Sequence, residues 1–219
     1  MNCTDITFDK EKRIIMNSSV KIAVLVSGGG TNLQALIDSE KRGELKSGTI
    51  ALVISNKEGA FALERAKNAG IPGVTVTKAA CGSQEAFEAK IKEILAENGI
   101  ELIILAGFMS ILSADFTSAY PERILNVHPS LIPSFCGKGF YGLRVHEAAL
   151  AYGVKVTGAT VHFVNEIPDG GRIILQRAVE IKEGDTPEVL QRRVMEEAEW
   201  HLLPAAAEKV SAQILCERK

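Results

Sequence analysis

Apolar positions along this chain fall into short, dense runs separated by helically spaced ones. Residues 20–26 (VKIAVLV) are almost continuously apolar and rich in β-branched side chains, the pattern of a strand buried on both faces of a parallel sheet. Residues 50–55, 74–76, 102–106 and 124–127 repeat that pattern in shorter form. Between them Leu33, Leu36 and Ile37, and then Phe87, Ile91 and Leu95, recur at the spacing of one helix face. The spacing predicts a helix opening at Thr31-Asn32, which would cap it, and another over 84–97, ended by Gly99. Shorter helices are predicted over 61–68, with Gly70 at its C-terminal cap and Pro72 beyond, and over 114–120. Strands alternating with helices predict a parallel sheet with crossover helices.

The pattern changes after a predicted helix at 145–152. Residues 154–164 and 173–181 alternate along the chain, with Asp169-Gly170-Gly171 between them, which reads as an antiparallel hairpin. Residues 187–209 return to helical periodicity, with a break or kink expected at Pro204. The expected fold class is therefore α/β: an open, twisted, mostly parallel Rossmann-like sheet, made mixed by a C-terminal β-hairpin, then a C-terminal helix. Residues 1–19 are expected to form a flexible extension, and 20–219 a single domain.

Composition narrows the function classes. A formal charge of −2 gives no electrostatic footprint for nucleic acid. No apolar run has the length of a membrane span, and the charged N-terminus lacks the apolar core of a signal peptide. Cys3, Cys81, Cys136 and Cys216 are far apart, so neither a disulfide framework nor a zinc site is expected, and a reducing cytoplasm fits.

Three segments carry candidate chemistry. Gly28-Gly29-Gly30-Thr31-Asn32 links a strand to a helix, where backbone N–H groups and the helix dipole favour an anion. Leu33 stands where a dinucleotide fingerprint needs its last glycine, and no Lys-Ser/Thr follows, so a single phosphate monoester is the fitting ligand. The competing account is that tight turns use glycine for geometry alone. Asn126 and His128 lie two apart at the end of a predicted parallel strand, so both point one way, at the edge where open sheets place ligands. An amide donor beside a protonatable ring suits a tetrahedral oxyanion and a proton transfer, and a buried structural histidine is the alternative. Asp169 sits in an Asp-Gly turn, common for conformational reasons alone. A functional Asp169 would lie close to His128 and raise its pKa toward neutral. His146, His162 and His201 show no ligand-like spacing and read as structural or exposed, and no metal is expected. Arg123, Lys138 and Arg144 flank the central segment, within reach of an anion or simply solvated.

Taken together, VLVSGGGTNLQALID, ISNKEGAFALERAKNAGIP, LAGFMSILS, ILNVHPSLIPSF and GATVHFVNEIPDGGRIILQ resemble the phosphoribosylglycinamide formyltransferases, within the wider folate-dependent formyltransferase group. The resemblance covers about residues 20–205. HPSLIP is common to the wider group, and the GGGTN loop points to the ribonucleotide branch. It implies transfer of the formyl group of 10-formyltetrahydrofolate, as co-substrate, to the glycyl amine of 5'-phosphoribosylglycinamide in purine biosynthesis. It further implies that Gly30, Thr31, Asn32 and Glu199 bind the ribonucleotide. Gln84, Met109, Ser110, Ile111 and Leu112, with Asn126 and Asn165, Glu166, Ile167, Pro168 and Asp169, would bind the folate. Asn126 would hold the formyl oxygen, His128 would donate the proton, and Asp169 would support the charged histidine. Small molecules are the implied partners of a monomer or homodimer, with no nucleic acid and no membrane.

Three positions depart from the family pattern. Ser110 and Gln84 each stand where family members carry arginine, which weakens the expected grip on the folate's anionic tail, and Arg172 replaces a usual proline. Two other readings stay open: hydrolysis of 10-formyltetrahydrofolate, and a folate- or nucleotide-binding module without turnover. The known hydrolases carry an N-terminal regulatory domain for which residues 1–19 are too short, and methionyl-tRNA formyltransferases add a C-terminal nucleic-acid-binding domain not expected here.

Overall fold

The computed structural model describes residues 19–218, so the extension expected over 1–19 lies, but for Ser19, outside the described residues. Strands β1 (Val20–Val26), β2 (Gly48–Ser55), β3 (Gly73–Thr75), β4 (Leu102–Leu105), β5 (Ile124–His128), β6 (Val156–Phe163) and β7 (Ile173–Glu180) form one sheet in the order β3-β2-β1-β4-β5-β6-β7. The pairs from β3 to β5 are parallel, whereas β6 runs antiparallel to both β5 and β7. This is the mixed sheet expected from the sequence.

Alternation along β1 explains the layering. Val20, Ile22, Val24 and Val26 enter one core with Leu33, Leu36 and Ile37 of α1 (Thr31–Lys41) and Ala62 and Ala66 of α2 (Phe61–Asn68). Ala23 and Leu25 enter the other with Phe87, Ile91 and Leu95 of α4 (Gln84–Glu97) and Phe116 of α5 (Ala114–Ser118). Each such side chain contributes roughly 1.5–3 kcal/mol when fully buried, so covering both faces makes the near-continuous apolar run the centre of the fold. A short α3 (Lys78–Cys81), with Thr77 accepting from the Ala80 N–H at its start, was not expected from the periodicity, because four residues carry no period.

Two local expectations are corrected, and one is borne out. Thr31 and Asn32 do not cap α1: Gly30 is the cap, in the left-handed region (φ 72°), with no side-chain bond. The expected antiparallel hairpin forms, its strands joined by a loop over 164–172 in which Asp169 is left-handed (φ 56°). The C-terminal helical region is broken before Pro204. It runs as α7 (Pro187–Val194), a π turn (Met195–Glu199) and α8 (Trp200–Glu217), which passes through Pro204. Proline lacks an N–H and crowds the carbonyl four residues earlier, here Trp200. The widened turn just ahead of Trp200 is where the ladder adjusts. α6 spans Leu143–Tyr152.

Chain order places β2 and β3 on one side of β1, and β4 and β5 on the other. The reversal at β1/β4 opens a crevice at the carboxyl ends of these strands, where such sheets bind ligands. Gly158 shows how tightly the last strands pack: a methyl there would lie 2.0 Å from the Arg177 carbonyl oxygen and 2.9 Å from the Leu131 side chain. Gly158→Ala is expected to lower stability by about 1–3 kcal/mol through overpacking. Urea unfolding measures this, and an unchanged midpoint would rule out so close an approach of β6 and β7.

Candidate active site

The crevice holds two adjoining clefts. The larger, of about 810 Å3, is lined by Thr31 and Asn32 after β1, the segment after β4, the end of β5, the 137–142 segment, and Met195 and Glu199 of the π turn. The smaller, of about 130 Å3, is lined by Ser110, Ile111, Leu112, His162 and residues 164–169. Asn126, Ser110, Ile111, Pro168 and Asp169 line both, so Asn126 stands in the wall between them. Of the residues expected around the folate, Ser110, Ile111, Leu112, Asn126 and Asn165 to Asp169 line the smaller cleft, while Met109 lines only the larger; of those expected around the ribonucleotide, Thr31, Asn32 and Glu199 line the larger and Gly30 lines neither. Gln84 stands apart from both. It lines neither cleft, and its Nε2 donates to Glu88 Oε1 (2.7 Å) and to the Ile111 carbonyl (3.3 Å) from behind.

At the phosphate-type loop, the structure separates the three glycines. Gly30 has positive φ, and a Cβ there would strike Ala62 Cβ at 2.6 Å, so its identity follows from local geometry. Gly28 and Gly29 have neither constraint: nothing lies within 4 Å of a Cβ at either position. Turn geometry therefore explains one glycine of three, and open space for a close ligand accounts for the others. Asn32 is turned away from the loop, donating through Nδ2 to Glu199 Oε2 at 2.7 Å. Glu199 is buried, and that burial pushes its carboxyl pKa up, with the Asn32 bond opposing. The π turn adds the residue that aims Glu199 inward, and periodicity cannot show such an insertion.

Asn126, His128 and Asp169 come together, with a fourth residue the sequence reading missed. His128 Nδ1 lies 3.5 Å from Asp169 Oδ2, and His162 Nε2 lies 3.6 Å from Asp169 Oδ1. Asp169 Oδ2 also accepts the Gly137 N–H at 2.8 Å. Asn126 Nδ2 lies 3.2 Å from His162 Nε2. His162 Nδ1 is 2.7 Å from the Phe163 carbonyl, which only accepts, so Nδ1 carries a proton and donates to it. The contact between Asn126 and His162 holds the Asn126 amide, which lines both clefts. The register of β5 on β6 sets Asn126 directly opposite His162. The alternating 154–164 run held His162 in plain view, but only strand pairing gave it a partner.

His128 departs from expectation in two ways. Its pKa is lowered rather than raised: desolvation by burial outweighs Asp169 and the Phe135 carbonyl, which raise it, while His162 lowers it further. Its Nε2 is also occupied, 2.9 Å from the Phe135 carbonyl, and Phe135 itself is left-handed (φ 48°). Of the flanking cations, Arg123 pairs with Glu217 (2.6 Å) and Arg144 lies over the Tyr141 ring, whereas Lys138 lines the larger cleft. Arg172 pairs with Glu122 and covers the Phe163 ring. The Cys136 thiol pKa is pushed up by burial and Asp169, which disfavours the thiolate.

Four side chains hold the segment after β4. Ser27 Oγ accepts the Met109 N–H (2.8 Å), Asn56 Nδ2 donates to Ser110 Oγ (2.7 Å), Gln84 reaches the Ile111 carbonyl, and Glu88 Oε1 accepts the Ser113 N–H (2.8 Å). Among the described residues, the smaller cleft is lined by no Lys or Arg, only by the carboxylates of Glu166 and Asp169. No group of three or more His, Cys, Asp or Glu suited to a metal occurs among the described residues, and no helix there is long and apolar enough to cross a membrane.

His146 of α6 lines the larger cleft, is fully buried, and has no partner for either ring nitrogen. Desolvation, then the charge of His128, lowers its pKa to about 4. An unfolded histidine titrates near 6.5, so folding stability is full above about pH 6.5 and falls as pH drops toward 4, by on the order of 3 kcal/mol. Urea midpoints at pH 7.5 and pH 5 for the parent and His146→Phe test this: the variant should lose part of the parent's acid sensitivity, and identical pH dependence would refute it.

Comparison with known proteins follows the same lines. The Formyl transferase family profile matches residues 20–206. The chain is 47% identical over 198 residues to the "Trifunctional purine biosynthetic protein adenosine-3" of Gallus gallus, covering 90% of this chain but only 19% of that protein. It is 43% identical to the "Phosphoribosylglycinamide formyltransferase" of Escherichia coli (strain K12), covering 80% of each. The crystal structure of glycinamide ribonucleotide transformylase 1 from Symbiobacterium toebii superposes with a TM-score of 0.83 at 43% identity, over 90% of this chain and 89% of that one.

Proposed function

This chain belongs to the formyl transferase family, and from that premise we propose that it transfers the formyl group of 10-formyltetrahydrofolate to the glycyl amine of 5'-phosphoribosylglycinamide. The observation that carries the reading is the position of Asn126, in the wall common to two clefts, with His128 and Asp169 beside it. One cleft is lined by Thr31 and Asn32 at the end of the open glycine turn, for a phosphate, and the other by apolar residues with two carboxylates and, among the described residues, no cation, for a flat donor. Relatives named for this activity, matched along 80% of their length or more, support the same assignment.

The amine, neutral, attacks the formyl carbon, a C–N bond forms, and the carbonyl electron pair moves to oxygen. The free N–H of Asn126 donates to that oxyanion. His128 supplies a second donor once Nε2 exchanges the Phe135 carbonyl for the substrate oxygen, and Asp169, facing Nδ1, stabilises the imidazolium. Collapse breaks the bond from carbon to the folate nitrogen, which takes a proton from His128, and the surplus proton of the new amide nitrogen passes to the now neutral His128, restoring the imidazolium. His162 holds the Asn126 amide in its working orientation, and Glu199 meets the ribonucleotide beside Asn32.

Removing one oxyanion donor costs about 10²–10³ in rate, so Asn126→Ala is expected to lose activity by that factor with smaller effects on binding. A variant within twofold of the parent would sink the assignment. In the parent, release of deformylated folate should require the ribonucleotide; release without it would indicate hydrolysis, and binding without release a module that does not turn over.

The smaller cleft also offers the donor's carboxylate tail no cation. Ser110→Arg is expected to lower the KM for the tailed donor by up to about fivefold, as a partly exposed ion pair allows, and the gain should fade in high salt. An unchanged KM would mean that the tail does not pass Ser110.

A further inference from the structure

Two carbonyls of the Gly28–Asn32 turn are tied to α2. The Ala62 N–H donates to the Gly28 carbonyl at 3.0 Å, and Arg65 Nε donates to the Gly29 carbonyl at 2.8 Å. The same guanidinium donates through Nη1 to Gln34 Oε1 of α1 at 3.0 Å and lies 5.0 Å above the Phe61 ring. Arg65 is therefore clamped between α1 and α2 and half-buried there.

In a planar trans peptide, the carbonyl and the N–H that follows it point in opposite directions. Holding the Gly28 and Gly29 carbonyls toward α2 sends the N–H groups of Gly29 and Gly30 the other way. Among the described residues neither N–H has an intramolecular partner. A carbonyl facing the turn's open side would repel an anion, whereas an N–H attracts one. Freed from Arg65, the Gly29–Gly30 peptide can flip, because it is flanked by two glycines, whose backbones adopt either sign of φ.

We infer that Arg65 is a positioning residue for the phosphate of a phosphate monoester: by pinning the Gly29 carbonyl it fixes the peptide orientation that presents two backbone donors to the anion. The inference rests on the reading above that this turn receives the acceptor's phosphate. Its mode of action is distinct from a direct charge–charge contact, and lysine separates the two. Arg65→Lys keeps the charge but loses the fixed fork that holds Gly29 and Gln34 at once. Arg65→Gln loses both.

The experiment measures inorganic phosphate binding by calorimetry, and KM and kcat with the phosphorylated acceptor, for the parent, Arg65→Lys and Arg65→Gln, with thermal melts to confirm folding. Both variants are expected to weaken phosphate binding about tenfold, the worth of one hydrogen bond at the upper end of the usual range, and to raise the acceptor KM by a similar factor. The loss should fall on that KM rather than on kcat, and the donor KM should keep its parental value. Arg65→Lys matching the parent would overturn the inference, since charge alone would then suffice. So would equal losses in kcat and in both KM values, which a purely structural role produces. If the parent shows no formyl transfer, the proposed function fails, and the phosphate titration still decides the role of Arg65.

Discussion

The Asp169 carboxylate ties its own loop to the end of β5, to β6 and to the 137–142 segment. It faces His128 at the end of β5 and His162 in β6, and it accepts the Gly137 N–H from the segment that covers the larger cleft. Burial raises a carboxyl pKa, yet the Asp169 value ends below the usual range, because His162, His128 and the Gly137 N–H together outweigh desolvation. The group stays ionised, and an ionised, partly buried carboxylate favours keeping its partners in place, since desolvation without them would be unfavourable. The left-handed backbone at Asp169 gives the loop the turn that aims this carboxylate inward, a conformation asparagine and aspartate tolerate better than other side chains.

Around that group the two clefts differ in character. The larger cleft is bordered by Glu199 and Lys138, the smaller by a segment pinned at four places and by carboxylates without a cation. Pinning lowers the cost of ordering that wall when a ligand arrives. Occupation of His128 Nε2 by the Phe135 carbonyl runs the other way. In the proposed mechanism His128 would have to exchange that carbonyl for the substrate oxygen, a step Asn126 would not need. Desolvation depresses the His128 pKa, and in that mechanism the developing negative charge on the oxygen would offset the depression.

Much of the fold was legible. β1, α2 and α4 match the residues expected from periodicity, because burial on one face or both imposes a period that local sequence must obey. The π turn, α3 and the left-handed cap at Gly30 were not, since each is one to five residues long and set by neighbours in space. The site divides the same way. Asn126 and His128 were legible because they share a face of one strand. His162 was not, since its role depends on pairing with Asn126 across β5 and β6, and either residue could have faced several others.

The sequence by itself determined the family, the layered sheet, the glycine turn after β1 and the polar pair at the end of β5. These follow from local pattern and motif, which the chain carries wherever it folds. Tertiary structure decided that the Asn126 amide is oriented by His162, that Asp169 serves two histidines, that the His128 pKa is lowered rather than raised, and that Arg65 sets the peptides of the glycine turn. Most depend on distances between residues far apart in the chain, such as Asn126 to His162 or Gly29 to Arg65, and on burial, which charges and hydrogen bonds feel only once the core has closed.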